Sequence, residues 1–293
     1  MDIHGGFGVS RGMTEDLALE NQSGQWLRAR LPAWLAEVVI FLAKQAWACL
    51  FAISILLAVI FTNAIWADDW ALARYDALVI FAVLMQAAML LFKLETWAEA
   101  RVIALFHVTG TSMEFFKVSA GSWEYPEASV LVIMGVPLFS GFMYASVGSY
   151  IARVIRIFNI RFTPYPPFWM TVVLAVAIYV NFFAHHFVPD IRLILFAATV
   201  LLFGRTMVRF TVGRRYGFPL PLAALTVSFF LWLAENIGTL TGTWTYAGSP
   251  PFDWTSLQKM GSWYLLIYVA FVTVTLVIRA PLDFKDSRAT SES

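Results

Sequence analysis

Long, uncharged apolar runs constrain this chain more than any other feature of its sequence. A transmembrane helix needs about 20 apolar residues, and runs of this kind occur at about eight places. Of the 293 residues 60% are hydrophobic and 13% are charged, whereas soluble domains carry about 25% charged residues. A chain of this composition cannot cover a water-facing surface. The sequence therefore predicts an all-α fold, a polytopic transmembrane bundle of about eight helices.

The spans divide the chain into an N-terminal segment (residues 1–33), two four-helix halves (34–157 and 158–280) and a tail (281–293). The predicted spans are Gln45–Asn63, Asp76–Phe92, Ala98–Val118, Val130–Ser149, Trp169–Phe187, Ile191–Phe210, Pro219–Leu240 and Trp263–Ile278.

Lysine and arginine are concentrated in the connections on one side of this arrangement, and the positive-inside rule then sets the orientation. With eight spans, one side carries most of the cations and the other carries acidic, Trp-rich turns. We expect a multi-pass protein of a bacterial inner membrane with both termini in the cytoplasm. The cations on the expected cytoplasmic side include Lys93, Arg101, Arg153, Arg156, Arg161, Arg205, Arg209, Arg214, Arg215 and Arg279.

The two halves share a short motif, a Glu followed by Gly-Xaa-Trp-Xaa-Tyr. Its positions recur at one offset of 121 residues, which indicates an internal duplication. Because four spans is an even number, the halves would be parallel repeats related by a pseudo-two-fold axis along the membrane normal. The motif consists of Glu114, Gly121, Trp123 and Tyr125 in the first half and Glu235, Gly242, Trp244 and Tyr246 in the second.

Glu114 and Glu235 are the leading candidates for catalytic or ligand-binding residues. A carboxylate in hydrocarbon costs about 2.5–3.5 kcal/mol, so an intramembrane Glu is a functional candidate by default. Lys117 lies one turn beyond Glu114 and offers it an ion pair, which would be structural. Glu235 has only Asn236 beside it. Both interpretations of the glutamates stay open at this stage.

The histidines also have two interpretations each. His107 lies seven residues before Glu114 on the same helix face, about 10 Å away along the axis, and either assists the glutamates or packs against a neighbouring helix. His185 and His186 are weak candidates for metal ligands, because adjacent helical residues point about 100° apart. No tight ligand spacing is present, so the sequence predicts no metal site and leaves any cofactor unknown.

The Trp-Xaa-Tyr pairs are typical of membrane-interface anchors. Here Gly121 and Gly242 precede them, and glycine suits a helix end that turns through the left-handed conformation. The motif would then fold an aromatic ring back over the top of its own helix. That arrangement would place an aromatic lid above each carboxylate.

A resemblance to a known family is carried by the segments Phe106-His107, Glu114-Phe-Phe-Lys117, Gly121-Ser-Trp-Glu-Tyr-Pro126, Gly135-Val-Pro-Leu-Phe-Ser-Gly-Phe-Met-Tyr144, Asn181-Phe-Phe-Ala-His-His186 and Leu233-Ala-Glu-Asn-Ile237. These segments resemble a bacterial integral membrane family, domain-of-unknown-function family 817, and the resemblance covers nearly the whole chain after residue 35. A more distant likeness is to membrane carotenoid enzymes of the lycopene-cyclase and carotenoid-hydratase type, although Pro137 is followed by Leu138 and Phe139 where the cyclase pattern has acidic residues.

Three functions follow from these features as hypotheses. The first is a transporter of a small solute or lipid, with a carboxylate-lined site between the repeats. The second is a membrane-embedded enzyme that acts on an isoprenoid or lipid by glutamate general-acid chemistry. The third is a non-catalytic partner or sensor. The expected partners are membrane lipid and a hydrophobic small-molecule substrate, and a net charge of +1 gives no reason to expect nucleic acid.

Overall fold

The computed structural model describes residues 24–67, 69–184, 187–248 and 254–283. The described chain is mostly helical, and its first helix, α1, covers 24–30. The other helices are α2 (Ala33–Ala48), α3 (Leu50–Ile65), α4 (Arg74–Leu91), α5 (Trp97–Ser119), α6 (Phe139–Ile157), α7 (Phe168–Ala184), α8 (Arg192–Phe203), α9 (Leu220–Leu240) and α10 (Leu257–Val277). The strands are β1 (Trp123–Glu124), β2 (Val132–Ile133), β3 (Val136–Pro137), β4 (Arg161–Thr163), β5 (Met207–Thr211), β6 (Arg215–Pro219) and β7 (Thr245–Tyr246).

Within the described residues, three helices are long and apolar enough to cross a bilayer: α4, α9 and α10. The bent pair α2 and α3 makes a fourth if the two count as one span. The expected count of eight is not confirmed. Helices α5 and α6 are long enough but not apolar enough to count as spans, and α7 with 17 residues and α8 with 12 are short for a bilayer crossing. The count of eight and the parallel repeat remain predictions.

The first predicted span is broken. Helices α2 and α3 meet at Cys49 and bend by 70°. The guanidinium of the fully buried Arg153 donates 2.6 Å hydrogen bonds to the carbonyls of Trp47, beside the break, and of Leu94, in the turn between α4 and α5. Carbonyls freed at a helix break need such donors where water is excluded.

The fourth predicted span is wrong at its start. Residues 130–138 form a β-hairpin of β2 and β3 rather than helix, and the tight turn places Met134 and Gly135 at positive φ angles of 51° and 76°. Asp76, in the first turn of α4, accepts the backbone N–H groups of Val130 (3.0 Å) and Leu131 (2.7 Å). A buried carboxylate that takes two amides holds the chain extended there, so the helix begins only at Phe139.

Removing the Asp76 carboxylate tests this explanation. We expect Asp76→Ala to lower the free energy of unfolding by about 2–4 kcal/mol, because two amides lose a charged acceptor. Asp76→Asn keeps one acceptor oxygen and should cost about half as much. Unfolding by detergent titration in lipid bicelles measures both variants. Asp69→Ala, at an exposed turn position, is the control. A wild-type stability for Asp76→Ala would contradict this role of Asp76.

Small sheets correct the expectation of a purely helical fold. The helix of the sixth predicted span ends at Phe203 rather than at Phe210. The residues that follow form β5, which pairs with both β4 and β6. Arg161 on β4 lies opposite Arg209 on β5. We call this region, which carries Arg161, Arg209, Arg214 and Arg215, the arginine end. The opposite ends of α5 and α9, which carry Gly121–Tyr125 and Gly242–Tyr246, form the motif end.

Helix α10 lies at the centre of the bundle. It contacts α5, α6, α7, α8 and α9, and its Tyr268 and Val274 are almost fully buried. Helices α5 and α6 approach closely because each carries a glycine where they cross. On α5, a Cβ added to Gly110 would lie 2.5 Å from the Tyr144 side chain. A Cβ on Gly148 would likewise lie 2.7 Å from the Phe106 ring. Small residues permit this kind of helix contact in membranes.

Candidate functional site

The two motif helices end in the same way. Gly121 and Gly242 have φ angles of +66° and +64°, the left-handed conformation expected for them. In each half the glycine N–H bonds to the carbonyl three residues back, and the next residue's N–H bonds five residues back. These are the two hydrogen bonds of a Schellman cap, which reverses the chain over the helix end.

Three donors surround Glu114, and the reversal brings two of them. Trp123 donates its indole N–H to Oε2 at 2.8 Å, and Tyr125 donates its hydroxyl to the same oxygen at 2.9 Å. Tyr144, on α6, donates to Oε1 at 2.7 Å. Glu114 is only 2% exposed, so these neutral donors replace water around its carboxyl group.

Glu235 is held by the equivalent side chains of its own half. Trp244 donates its indole N–H to Oε1 at 3.0 Å, and the Tyr246 hydroxyl makes a short hydrogen bond to the same oxygen. The Trp263 indole lies within interaction range of the carboxylate. The Lys259 ammonium lies over the Tyr246 ring, and its charge attracts that of Glu235. Glu235 therefore has a cation nearby, whereas the donors of Glu114 are all neutral.

A two-stranded ribbon joins the two motifs. Strand β1 pairs with β7 in antiparallel register, with Trp123 opposite Tyr246 and Glu124 opposite Thr245. The Trp123 and Tyr246 rings make an edge contact, with centroids 5.8 Å apart. The structure thus brings the motif residues of both halves into one site, which we call the carboxylate site.

Each carboxylate acts on the tyrosine of the opposite half. Burial, followed by the charge of Glu114, raises the pKa of the Tyr125 hydroxyl well above its usual range, and the more distant Glu235 raises it further. Burial, Glu235 and then Glu114 raise the pKa of Tyr246 in the same way. Both phenols therefore stay protonated at physiological pH and remain hydrogen-bond donors.

An apolar cavity of about 240 Å³ lies beside the carboxylate site, between α5, α6, α7, α9 and α10. Tyr144 and Trp263, which contact the two carboxylates, both line it, and their ring centroids are 6.5 Å apart. Val176 and Leu276 in its wall are 56% and 46% exposed, so the cavity opens sideways out of the bundle. A cavity of about 150 Å³ holds a benzene ring, so this one has room for a longer hydrocarbon group.

His107 lies apart from the carboxylate site. Its ring packs on Phe142, with centroids 4.6 Å apart, and against Gly141, where an added Cβ would lie 2.7 Å from Nδ1. Among the described residues no hydrogen bond joins His107 to either glutamate, and the contacts match the helix-packing interpretation. Lys117 is buried and its Nζ lies 4.1 Å from the Phe182 ring centroid, while the hydrogen bonds of Glu114 come from aromatic side chains.

His185 and His186 lie outside the described residues. Over the residues that are described, no group of three or more His, Cys, Asp or Glu side chains could hold a metal ion. The carboxylate site itself offers two carboxylates surrounded by donors. Its chemistry is that of a fixed acceptor pair rather than of a ligand set for a metal.

Sequence reasoning missed three consecutive residues that order the motif end. Arg74 pairs with Glu127 through Nε at 2.8 Å and reaches Thr243 Oγ1 at 3.3 Å. The Tyr75 hydroxyl donates to the Thr243 carbonyl at 2.7 Å, and Asp76 holds the hairpin. Their only signal in the sequence is a charged, polar start to an otherwise apolar span. Tyr144, Lys259 and Trp263 were also missed, since nothing nearby in sequence marks them.

A family model described as "Protein of unknown function (DUF817)" matches residues 37–271 of the chain. The protein belongs to the DUF817 family. The uncharacterized protein YoaT of Bacillus subtilis (strain 168) is similar to it, 43% identical over 242 residues that cover 82% of this chain and 91% of that relative. The family resemblance in the motifs is thereby confirmed. No solved structure matches the chain. The likeness to carotenoid enzymes stays a prediction. The only support for a function of the carboxylate site in this DUF817 protein is the geometry of the described residues.

Proposed function

We propose that this protein binds and carries an apolar, membrane-soluble molecule, with its hydrocarbon part in the cavity and its polar end towards the carboxylate site. The observation that carries the proposal is that Tyr144 and Trp263 line the cavity on one side and contact Glu114 and Glu235 on the other. A mostly apolar pocket with a few polar groups at one end is the usual design of a small-molecule site. The sideways opening suits a ligand that arrives from lipid.

The hydrogen bonds of Glu114 favour a carrier over an acid catalyst. Glu114 accepts hydrogen bonds from three donors, and each of them stabilises the charged form of its carboxyl group. Such a group is suited to attracting a ligand hydroxyl or cation. A general acid needs a proton that it can give away.

A membrane-embedded enzyme is the second candidate, and one observation favours it. The Tyr144 hydroxyl lies between Glu114 and the cavity, where it could pass a proton to a bound polyene or isoprenoid. The third hypothesis, a partner or sensor without a ligand, predicts that the cavity stays empty.

Two features support a duplication with a pseudo-two-fold axis along the membrane normal. The Schellman caps and the Trp and Tyr hydrogen bonds of the two motifs match at the offset of 121 residues. Glu124 and Thr245 are equivalent at that offset and lie opposite each other in the ribbon. Residues that pair with their own equivalents must lie on the symmetry axis. The arginine end would then face the cytoplasm of a bacterial inner membrane, with both termini on that side.

A photoreactive isoprenoid alcohol tests the proposed function. The probe is farnesol carrying a diazirine, added to the protein in lipid nanodiscs. We expect labelling of the cavity wall, for example at Met113, and a reduction of about fivefold or more in Ala270→Phe, which fills the cavity. Ala87→Phe adds the same volume on an exposed face of α4 and should label normally.

The same experiment separates the candidates. Recovered probe of unchanged mass supports carriage, and a new mass supports the enzyme. Equal labelling of Ala270→Phe and Ala87→Phe, or labelling spread over the lipid-facing surface, would overturn the ligand site itself. Glu114→Gln should weaken binding of the alcohol more than binding of the matching hydrocarbon, because only the alcohol has a group for the carboxylate.

A further inference from the structure

The hairpin of β2 and β3 exposes five apolar side chains in a row. Val130, Leu131, Val132, Ile133 and Met134 have exposed fractions of 85%, 37%, 40%, 50% and 68%. A run of this length on a protein surface marks a contact with an apolar partner. The other face of the hairpin is anchored, because Val136 and Pro137 are buried on α5.

The position of the hairpin along α5 places it within the membrane. A Cβ on Gly135 would lie 3.5 Å from Cγ1 of Val118, in the last turn of that helix. Asp76, which binds the hairpin, lies in the first turn of α4, and the 18 residues of that candidate span cover about 27 Å, close to the hydrocarbon core of about 30 Å. The hairpin is therefore level with the boundary of the leaflet at the motif end.

The charge pattern agrees with this depth. No charged residue occurs between Glu127 and Arg153. Helix α6 supplies only 19 residues, about 28 Å, and it carries Arg153 and Arg156 near its far end. The uncharged stretch thus includes the hairpin and continues into the helix.

The polar backbone groups of the hairpin have hydrogen-bond partners within the protein, as non-helical backbone in hydrocarbon requires. Unpaired amides cost several kcal/mol there, so irregular backbone needs partners within the protein. Asp76 accepts the amides of Val130 and Leu131, the Leu131 carbonyl accepts from Leu138 at 3.0 Å, and β2 pairs with β3. In water, solvent molecules could satisfy the same amides.

We propose that the hairpin 130–138 is a membrane-inserted element whose exposed side chains contact the acyl chains of the leaflet at the motif end. Asp76, anchored in the first turn of α4, keeps its polar backbone paired at that depth. The hairpin then anchors the start of α6, and with it Tyr144, against the leaflet. This inference concerns the lipid surface and stands whether or not the cavity binds a ligand.

Site-directed spin labelling tests it in liposomes of phosphatidylethanolamine and phosphatidylglycerol. Single cysteines replace Val132 and Met134 in a Cys49→Ser background. Leu84→Cys, 64% exposed in the middle of α4, is the lipid control, and Glu124→Cys in the ribbon is the water control. Collision with a water-soluble nickel chelate should be at least about fivefold lower at 132 and 134 than at 124, with oxygen collision as high as at 84.

Nickel accessibility equal to that at position 124 would overturn the proposal, because the hairpin would then lie in water. Low accessibility to both reagents together with spin–spin broadening would also overturn it, since a second copy of the chain would cover the face. Two labelled positions are used so that a local disturbance at one of them cannot decide the result.

Discussion

Replacing Glu114 with leucine is expected to lower the free energy of unfolding by about 2–5 kcal/mol, because Trp123, Tyr125 and Tyr144 lose their common acceptor. The apolar leucine itself suits the surroundings, so the loss measures the three unsatisfied donors. Detergent-induced unfolding in bicelles gives the value, and the tryptophan emission should shift as the Trp123 indole is released.

Glu114→Gln is the matched control. Its amide oxygen can take the place of Oε2 and accept from Trp123 and Tyr125, while its NH₂ group faces Tyr144, whose hydroxyl can turn and accept. We expect a loss of no more than about 1 kcal/mol. Glu114→Gln therefore removes the charge and keeps the geometry. If the leucine and glutamine variants lose the same free energy of unfolding, the charge of Glu114 rather than its hydrogen bonds holds Trp123 and Tyr125 in place.

Gly238→Ala is expected to be the most damaging single-methyl change at the motif end. A Cβ there would lie 1.8 Å from the Trp244 ring, well inside van der Waals contact, so the indole must move. This movement strains the packing and also breaks the hydrogen bond from Trp244 to Glu235. We therefore expect the free energy of unfolding to fall by about 3 kcal/mol or more.

Thermal unfolding followed by tryptophan fluorescence checks this change. The control is Gly217→Ala in β6, where the nearest contact of the new Cβ would be an ordinary 3.5 Å. That variant should stay within about 0.5 kcal/mol of the parent. An unchanged stability for Gly238→Ala would mean that Trp244 does not pack on α9 as described.

The two carboxylates share a motif but differ in electrostatic environment. Lys259 places a cation near Glu235, and the charge of Glu235 is thereby partly balanced within its own half. Glu114 depends on neutral donors, one of which, Tyr144, faces the cavity. Trp263 beside Glu235 lines the cavity as well, so the difference lies in the charge of Lys259: we infer that Glu114 is the better candidate for the group that meets a ligand, and Glu235 for a structural counterpart.

Periodicity and motif spacing predicted part of this site. The Schellman turns at Gly121 and Gly242 follow from local chemistry, since glycine before Trp-Xaa-Tyr at a helix end has few other conformations available. The fold-back of each ring follows in turn. The role of Tyr144 could not be predicted, because it arises from a contact between α5 and α6 across 30 residues of sequence.

The span predictions were accurate for α9 and wrong at the start of the fourth span and the end of the sixth. The start and end of α9 were predicted to within one residue, and hydrophobicity alone suffices there. The hairpin at 130–138 is as apolar as a membrane span, and only Gly135 and Pro137 weaken a helix there. Asp76, more than 50 residues away, decides that it is extended.

The sequence by itself predicted apolar helices that suit a lipid solvent, and a carboxylate beneath an aromatic lid near one helix end in each half. Both are consequences of composition and of contacts within about a dozen residues. Only the tertiary structure decided that the two lids join in one ribbon, that Lys259 serves one carboxylate and Tyr144 the other, and that a cavity adjoins them. The physical reason is that hydrogen bonds and ion pairs form between atoms that packing brings together, and packing between distant helices leaves no local trace in a sequence.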